Sequence, residues 1–119
     1  MTHQIAYCAK RTNNDDARVT VRVTDEGGQL VSEEELAPRL DLRNHSPTGF
    51  EWGYGGSGPA QLALAICAHA TGDDERALSV YQRFKDRFVA SRHSDDWSIS
   101  RDVALAEIKE IERVMAEAA

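Results

Sequence analysis

From Leu62 to Ala68 the chain reads Leu-Ala-Leu-Ala-Ile-Cys-Ala, with no polar side chain in the run. A helix built from it has no face to offer to water, so it must be enclosed by the rest of the chain. Proline suits the first helical turn, which places the start near Pro59, the cap at Ser57 or Gly58, and the end near Ala70. The approach to this helix is equally distinctive. Asn44 to Ile66 holds five of the 8 glycines and two of the 3 prolines, together with Phe50, Trp52 and Tyr54. These rings alternate with Glu51 and Gly53, so an extended segment would send all three to one side.

Upstream, the pattern is that of a sheet. Ile5 to Ala9 is a short apolar run, and Asn13-Asn14-Asp15-Asp16 is turn material. Arg18 to Thr24 alternates strictly, with Val19, Val21 and Val23 on one face and Thr20, Arg22 and Thr24 on the other, the period of a half-buried strand. After a turn at Asp25-Glu26-Gly27-Gly28-Gln29, Leu30-Val31 begins a short return strand. Ser32 and Glu35 have the spacing of a capping box, which predicts a brief helix over Glu33-Glu34-Glu35 that Pro38 cuts short.

Downstream, the pattern is helical. Thr71-Gly72-Asp73-Asp74 ends the apolar helix and caps a second, expected over Asp74 to Ser91, with Ala77, Tyr81, Phe84 and Phe88 as its apolar stripe. His93 to Trp97 reads as a loop, and a last helix starts near Ser98 or Ser100 with Leu105, Ile108, Ile111 and Met115 marking its inner side. The fold expected is α+β: one domain over residues 1–119, with a small antiparallel sheet of two to three strands packed on three helices. The apolar helix 59–70 lies at its centre.

Charge and composition narrow the function. With 119 residues, 41% hydrophobic, 29% charged and a net charge of -6, the chain is of ordinary globular type, and coating nucleic acid is disfavoured because that rests on neutralising phosphates. The first residues lack a charged and then apolar leader, and no apolar run reaches the ~20 residues of a membrane span. Cys8 and Cys67 stand far apart, so two reduced thiols in a cytoplasmic protein are expected. The four histidines and two cysteines lack zinc spacing, and no metal or cofactor is expected.

Gly53-Tyr54-Gly55-Gly56-Ser57-Gly58 fits G-x-G-x-x-G, yet no βαβ unit surrounds it and no lysine follows to make a phosphate loop. A smaller role remains, in which the amides of Gly55, Gly56, Ser57 and Gly58 beside a helix N-terminus meet a small anion. His45, Ser46, Trp52 and Tyr54 complete this candidate ligand site, with the rings acting either as a packed lid or as a stacking platform. Ser57 fails the nucleophile-elbow pattern and reads as a cap. His45 with Ser46 and Glu51 would make an acid–base cluster if the fold brought them together, and no catalytic residue is assigned. Arg76, Arg83 and Arg87, at spacings of seven and four, share a helix face that would meet a partner or remain solvated.

The words Asn-His-Ser-Pro-Thr-Gly-Phe-Glu-Trp-Gly-Tyr-Gly-Gly-Ser-Gly-Pro-Ala-Gln-Leu-Ala-Leu-Ala-Ile, Asn44 to Ile66, resemble those of an uncharacterised family of small proteins. The resemblance extends through Tyr81-Gln82-Arg83-Phe84-Lys85 and Trp97-Ser98-Ile99. It implies a setting of phages, mobile elements, bacteria and archaea, and supplies no catalytic residues. The expectation is a non-enzymatic binding protein with a protein partner, in its sharpest form an anti-CRISPR-like inhibitor of a host defence complex. The alternatives are a nucleotide or small-anion binder using the glycine loop and rings, and a small enzyme using His45 and Glu51.

Overall fold

The structure is a computed structural model and describes residues 2–12 and 16–118. The turn expected at Asn13-Asn14-Asp15-Asp16 falls outside these residues except for Asp16. Strands β1 (Gln4–Arg11), β2 (Ala17–Thr24) and β3 (Leu30–Glu35) are followed by helices α1 (Ser57–Thr71) and α2 (Asp74–Arg87), a 3₁₀ turn (Val89–Ser91), strand β4 (Asp96–Ser100) and helix α3 (Arg101–Ala118). The fold is α+β, with a four-stranded antiparallel sheet in the order β3-β2-β1-β4 and three helices.

The alternation in β2 sets the sheet's two faces. Val21, Tyr7 and Ile99 lie side by side across β2, β1 and β4, and all three are buried toward the helices. One step along, Val19, Ala9 and Trp97 form the next inner row. The apolar run becomes α1, buried without interruption from Gly58 to Ala68. It packs along α2 and touches α3, which in turn lies against β1 and β4. Gly72, at φ 63, closes α1 by donating to the Ala68 carbonyl, and Asp73 caps α2 by accepting from the Arg76 amide. Ser100 caps α3 through the Val103 amide.

Four expectations need correction. Ser32 to Glu35 is an edge strand, not a capped helix. Beside β2 its glutamates find cross-strand partners: Arg18 to Glu35 at 3.0 Å, Thr20 to Glu33 at 2.9 Å and Arg22 to Glu33 at 3.6 Å. Pro38 leaves a helix there too short to compete. The sheet has four strands, because Trp97-Ser98-Ile99-Ser100, expected as loop and helix start, pairs with β1. Helix α1 begins at Ser57 with Gly56 as its cap residue, so Ser57 is the first helical residue. Pro59 still fits, since its missing N–H falls among the amides that a helix start leaves unpaired. Finally, α2 stops at Arg87, and Val89 to Ser91 continues as a 3₁₀ turn.

Leu64 is wholly buried and Val103 is 58% exposed. Leu64→Ala is expected to cost about 2–5 kcal/mol of unfolding free energy in a urea titration, whereas Val103→Ala should stay within about 0.5 kcal/mol of wild type.

Candidate functional site

The approach to α1 is folded around one amide. Gln61, in the second turn of α1, is fully buried, and its Oε1 accepts from the His45 amide at 2.8 Å and the Ser46 amide at 3.1 Å. Its Nε2 donates to the carbonyls of Pro38 at 2.6 Å and Arg43 at 3.1 Å. Two lone pairs and two N–H groups are the whole capacity of a carboxamide, and all are used. Outside this clamp, Arg39 takes a left-handed φ of 57 while its guanidinium holds Asp41 and Asp74 at 3.0 and 2.9 Å. Those hydrogen bonds, Asp41 first, raise the Arg39 pKa, and the same contact lowers that of Asp41.

His45, Ser46 and Glu51 do not converge. The His45 ring meets the Tyr81 hydroxyl of α2 through Nε2 at 2.8 Å, the Ser46 hydroxyl donates to the Gly49 carbonyl at 2.7 Å, and Glu51 accepts from Arg11 at 2.6 Å. Arg11 is the organiser that sequence reasoning missed. From the end of β1 it also donates to Asp95 at 2.8 Å and to the Trp52 carbonyl at 3.3 Å, and its guanidinium lies 4.4 Å over the Trp52 ring. Nothing local announces it, since its partners come from 40 residues downstream and beyond.

The rings divide between the two roles considered for them. Phe50 and Trp52 are buried, and Trp52 donates to the Ser94 carbonyl at 2.9 Å while standing edge-on to Trp97 at 5.7 Å. They form a lid. Tyr54 is 52% exposed. The glycine pattern belongs largely to the loop's own packing. Gly53 has φ 88 and lies so close to the Arg92 carbonyl that a Cβ would stand 2.9 Å from its oxygen, and at Gly58 a Cβ would stand 2.7 Å from that of Glu51. A polar cleft of about 380 Å³ remains between Tyr54, Ser57, Gly58, Ser46, Thr48 and Glu51, with Asp16 at its side. Gly56 has no side chain to cap α1, so this cleft borders an N-terminus without side-chain capping. Gly55 lies in open space nearby.

On α2, two of the three arginines are engaged with α3. Arg76 binds Glu112 through both Nε and a terminal nitrogen, at 3.1 and 3.0 Å, and Arg87 binds Glu107 at 2.6 Å. Arg83 lines a small cleft with Ile111 and Val114, and among the described residues no carboxylate lies within ion-pair distance of it.

Another concavity lies on the far side of the sheet, where among the described residues no helix packs. It is an open depression of about 650 Å³ over the strands' outer face. Three rows run across that face, Glu33-Arg22-Ala6-Ser100, Glu35-Thr20-Cys8-Ser98 and Arg18-Lys10-Asp96, and the depression lies over parts of them. Small side chains floor its middle and charges of both signs line its borders. Burial, followed by the nearby Glu33, raises the Cys8 thiol, against the opposing pull of Arg22, and burial keeps the Cys67 thiol protonated well above its ordinary range. The outward Arg18, Thr20 and Arg22 were the sequence signal for this face.

The sequence profile of DUF6166, a family of unknown function, matches residues 12–110. The chain belongs to this family. No curated protein and no solved structure gives a significant match. Among the described residues no helix is long and apolar enough to cross a membrane, and no group of three His, Cys, Asp or Glu side chains is placed to hold a metal ion.

Gln61→Leu would strand two amides and two carbonyls, and urea titration should show a loss of about 2–4 kcal/mol. A second prediction concerns pH. The buried Tyr7 hydroxyl meets His69 Nδ1 at 2.8 Å, and burial, then the charge of Arg101, lowers the His69 pKa. The unfolded chain therefore binds a proton that the folded chain refuses. The resulting loss of stability is absent above the ordinary imidazole value of about 6.5 and grows as pH falls from there toward the lowered value. His69→Gln should flatten the urea midpoint over that window relative to wild type.

Proposed function

We propose that this chain is a non-enzymatic binding protein that works by laying the uncovered face of its sheet on a protein partner. The observation that carries this reading is the trough of about 650 Å³ on that face, with Cys8, Thr20 and Ser98 at its floor. An antiparallel sheet can leave one face wet, but a concave face with a small-residue floor and a charged border also suits a protruding element of another protein. The ion pairs at its edge are exposed ones, with side-chain accessibilities of 63% and 73% for Arg18 and Glu35. Such pairs contribute little and can be exchanged for a partner's charges. The net charge of -6 favours protein over nucleic acid as that partner. On the expectation that the family belongs to phages and mobile elements, the partner class we propose is a host defence complex, with inhibition, anti-CRISPR-like, as the outcome.

A second reading rests on Tyr54, exposed beside the uncapped start of α1. It makes the polar cleft a pocket for a nucleotide or similar small molecule, stacked on Tyr54 and not on the buried Trp52. The two are separable. Thr20→Trp, which fills the trough, should melt like wild type and lose the host proteins that wild type co-purifies; unchanged capture would refute the face. Under the second reading, nucleotides or cyclic dinucleotides at about a hundredfold over Kd should raise apparent stability by about 2.7 kcal/mol, and Tyr54→Ala should abolish that rise.

A further inference from the structure

We infer that the free edge of β3 is a strand-addition site for an extended protein segment carrying Lys or Arg at alternate positions. The backbone groups it invokes are those of the sheet's edge, although Glu33 and Glu35 also border the uncovered face, and an N-methylated peptide distinguishes the two. β3 is the outermost strand of the sheet, six residues long and exposed along its whole length. The Leu36 amide donates to the Val19 carbonyl at 3.0 Å, which fixes the phase of bonding to β2. Antiparallel ladders alternate, so Glu34 and Ser32 turn their backbone groups toward β2, and Glu35 and Glu33 turn theirs outward. An outward row of this kind is a template for another strand.

The side chains choose which strand. Glu33, Glu34 and Glu35 surround the outward amides and carbonyls with negative charge, and among the described residues no cation lies within ion-pair distance of Glu34. A second copy of the chain would bring a second acidic triplet against the first. Like charges across a strand pair oppose it and opposite charges support it. The start of the strand adds apolar surface, with Leu30 50% and Val31 52% exposed at the irregularity in the β2 pairing. An incoming antiparallel segment would place basic residues opposite Glu35 and Glu33, where they compete with the exposed Arg18 and Arg22 for these carboxylates, then an apolar residue near Val31. The pattern is basic-x-basic-x-apolar.

The test uses the full chain and the synthetic peptide Ser-Lys-Thr-Lys-Thr-Val-Ser, an Asp-for-Lys version, and a version N-methylated at alternate amides. Binding of the lysine peptide should slow hydrogen exchange at the Glu33 and Glu35 amides at least about tenfold. The Asp and N-methylated peptides should leave those amides unchanged, and Glu33→Gln with Glu35→Gln should weaken the lysine peptide about tenfold. Equal binding of the N-methylated peptide would reduce the effect to charge attraction and overturn the inference. So would absence of lysine-peptide binding at about millimolar concentration, or slowed exchange at these amides caused by self-association alone.

Discussion

A helix without a wet side has to be surrounded, and the central constraint of this structure is how α1 is surrounded where its partner is a loop. Helices α2 and α3 cover it with apolar surface, but the segment from Pro38 to Ser46 brings backbone amides and carbonyls against it. Gln61 resolves the conflict. It is the buried polar side chain of the described core, and its four hydrogen bonds satisfy the loop groups that would otherwise be desolvated without partners. Once that loop is fixed, His45 is carried to Tyr81 and the segment beyond it is directed back over the helix mouth.

At the far end of the same loop, the closure is aromatic and ionic. Trp52 lies between Arg11 and Trp97, so the end of the first strand, the glycine loop and the approach to β4 meet at one ring. Glu51 and Asp95 neutralise Arg11 from two sides, and their hydrogen bonds, Glu51 first, raise its pKa. The tight glycines allow this packing. Gly53 turns under the Arg92 carbonyl and Gly58 lets α1 begin against Glu51. What resembles a phosphate-binding pattern in one dimension is, in three, largely a device for bringing backbone close to backbone.

Local rules read correctly wherever the signal was long or chemically specific. The valine alternation of β2, the apolar body of α1, the capping segment Thr71-Gly72-Asp73-Asp74 and, of the Ala77-Tyr81-Phe84-Phe88 stripe, all but Phe88, which follows the end of α2, reappear in the structure. They misread Ser32 to Glu35 because an acidic edge strand and a capping box use the same letters, and only the arginines of the neighbouring strand decide between them. β4 is five residues long with one buried side chain, too short for a period to declare itself. Arg11 and Gln61 were invisible as organisers for a different reason: every side-chain partner of either lies at least 15 residues away. The uncovered face could be read as the polar half of the β2 alternation, but the β1 and β4 residues that share it are set by long-range pairing.

Both tryptophans of the chain sit in that single aromatic corner, in contact with each other. The protein's ultraviolet emission is therefore a gauge of one junction and not an average over the molecule. It will register the moment at which the first strand, the glycine loop and the fourth strand come apart, and will stay silent on a loosening confined to the far ends of α2 and α3.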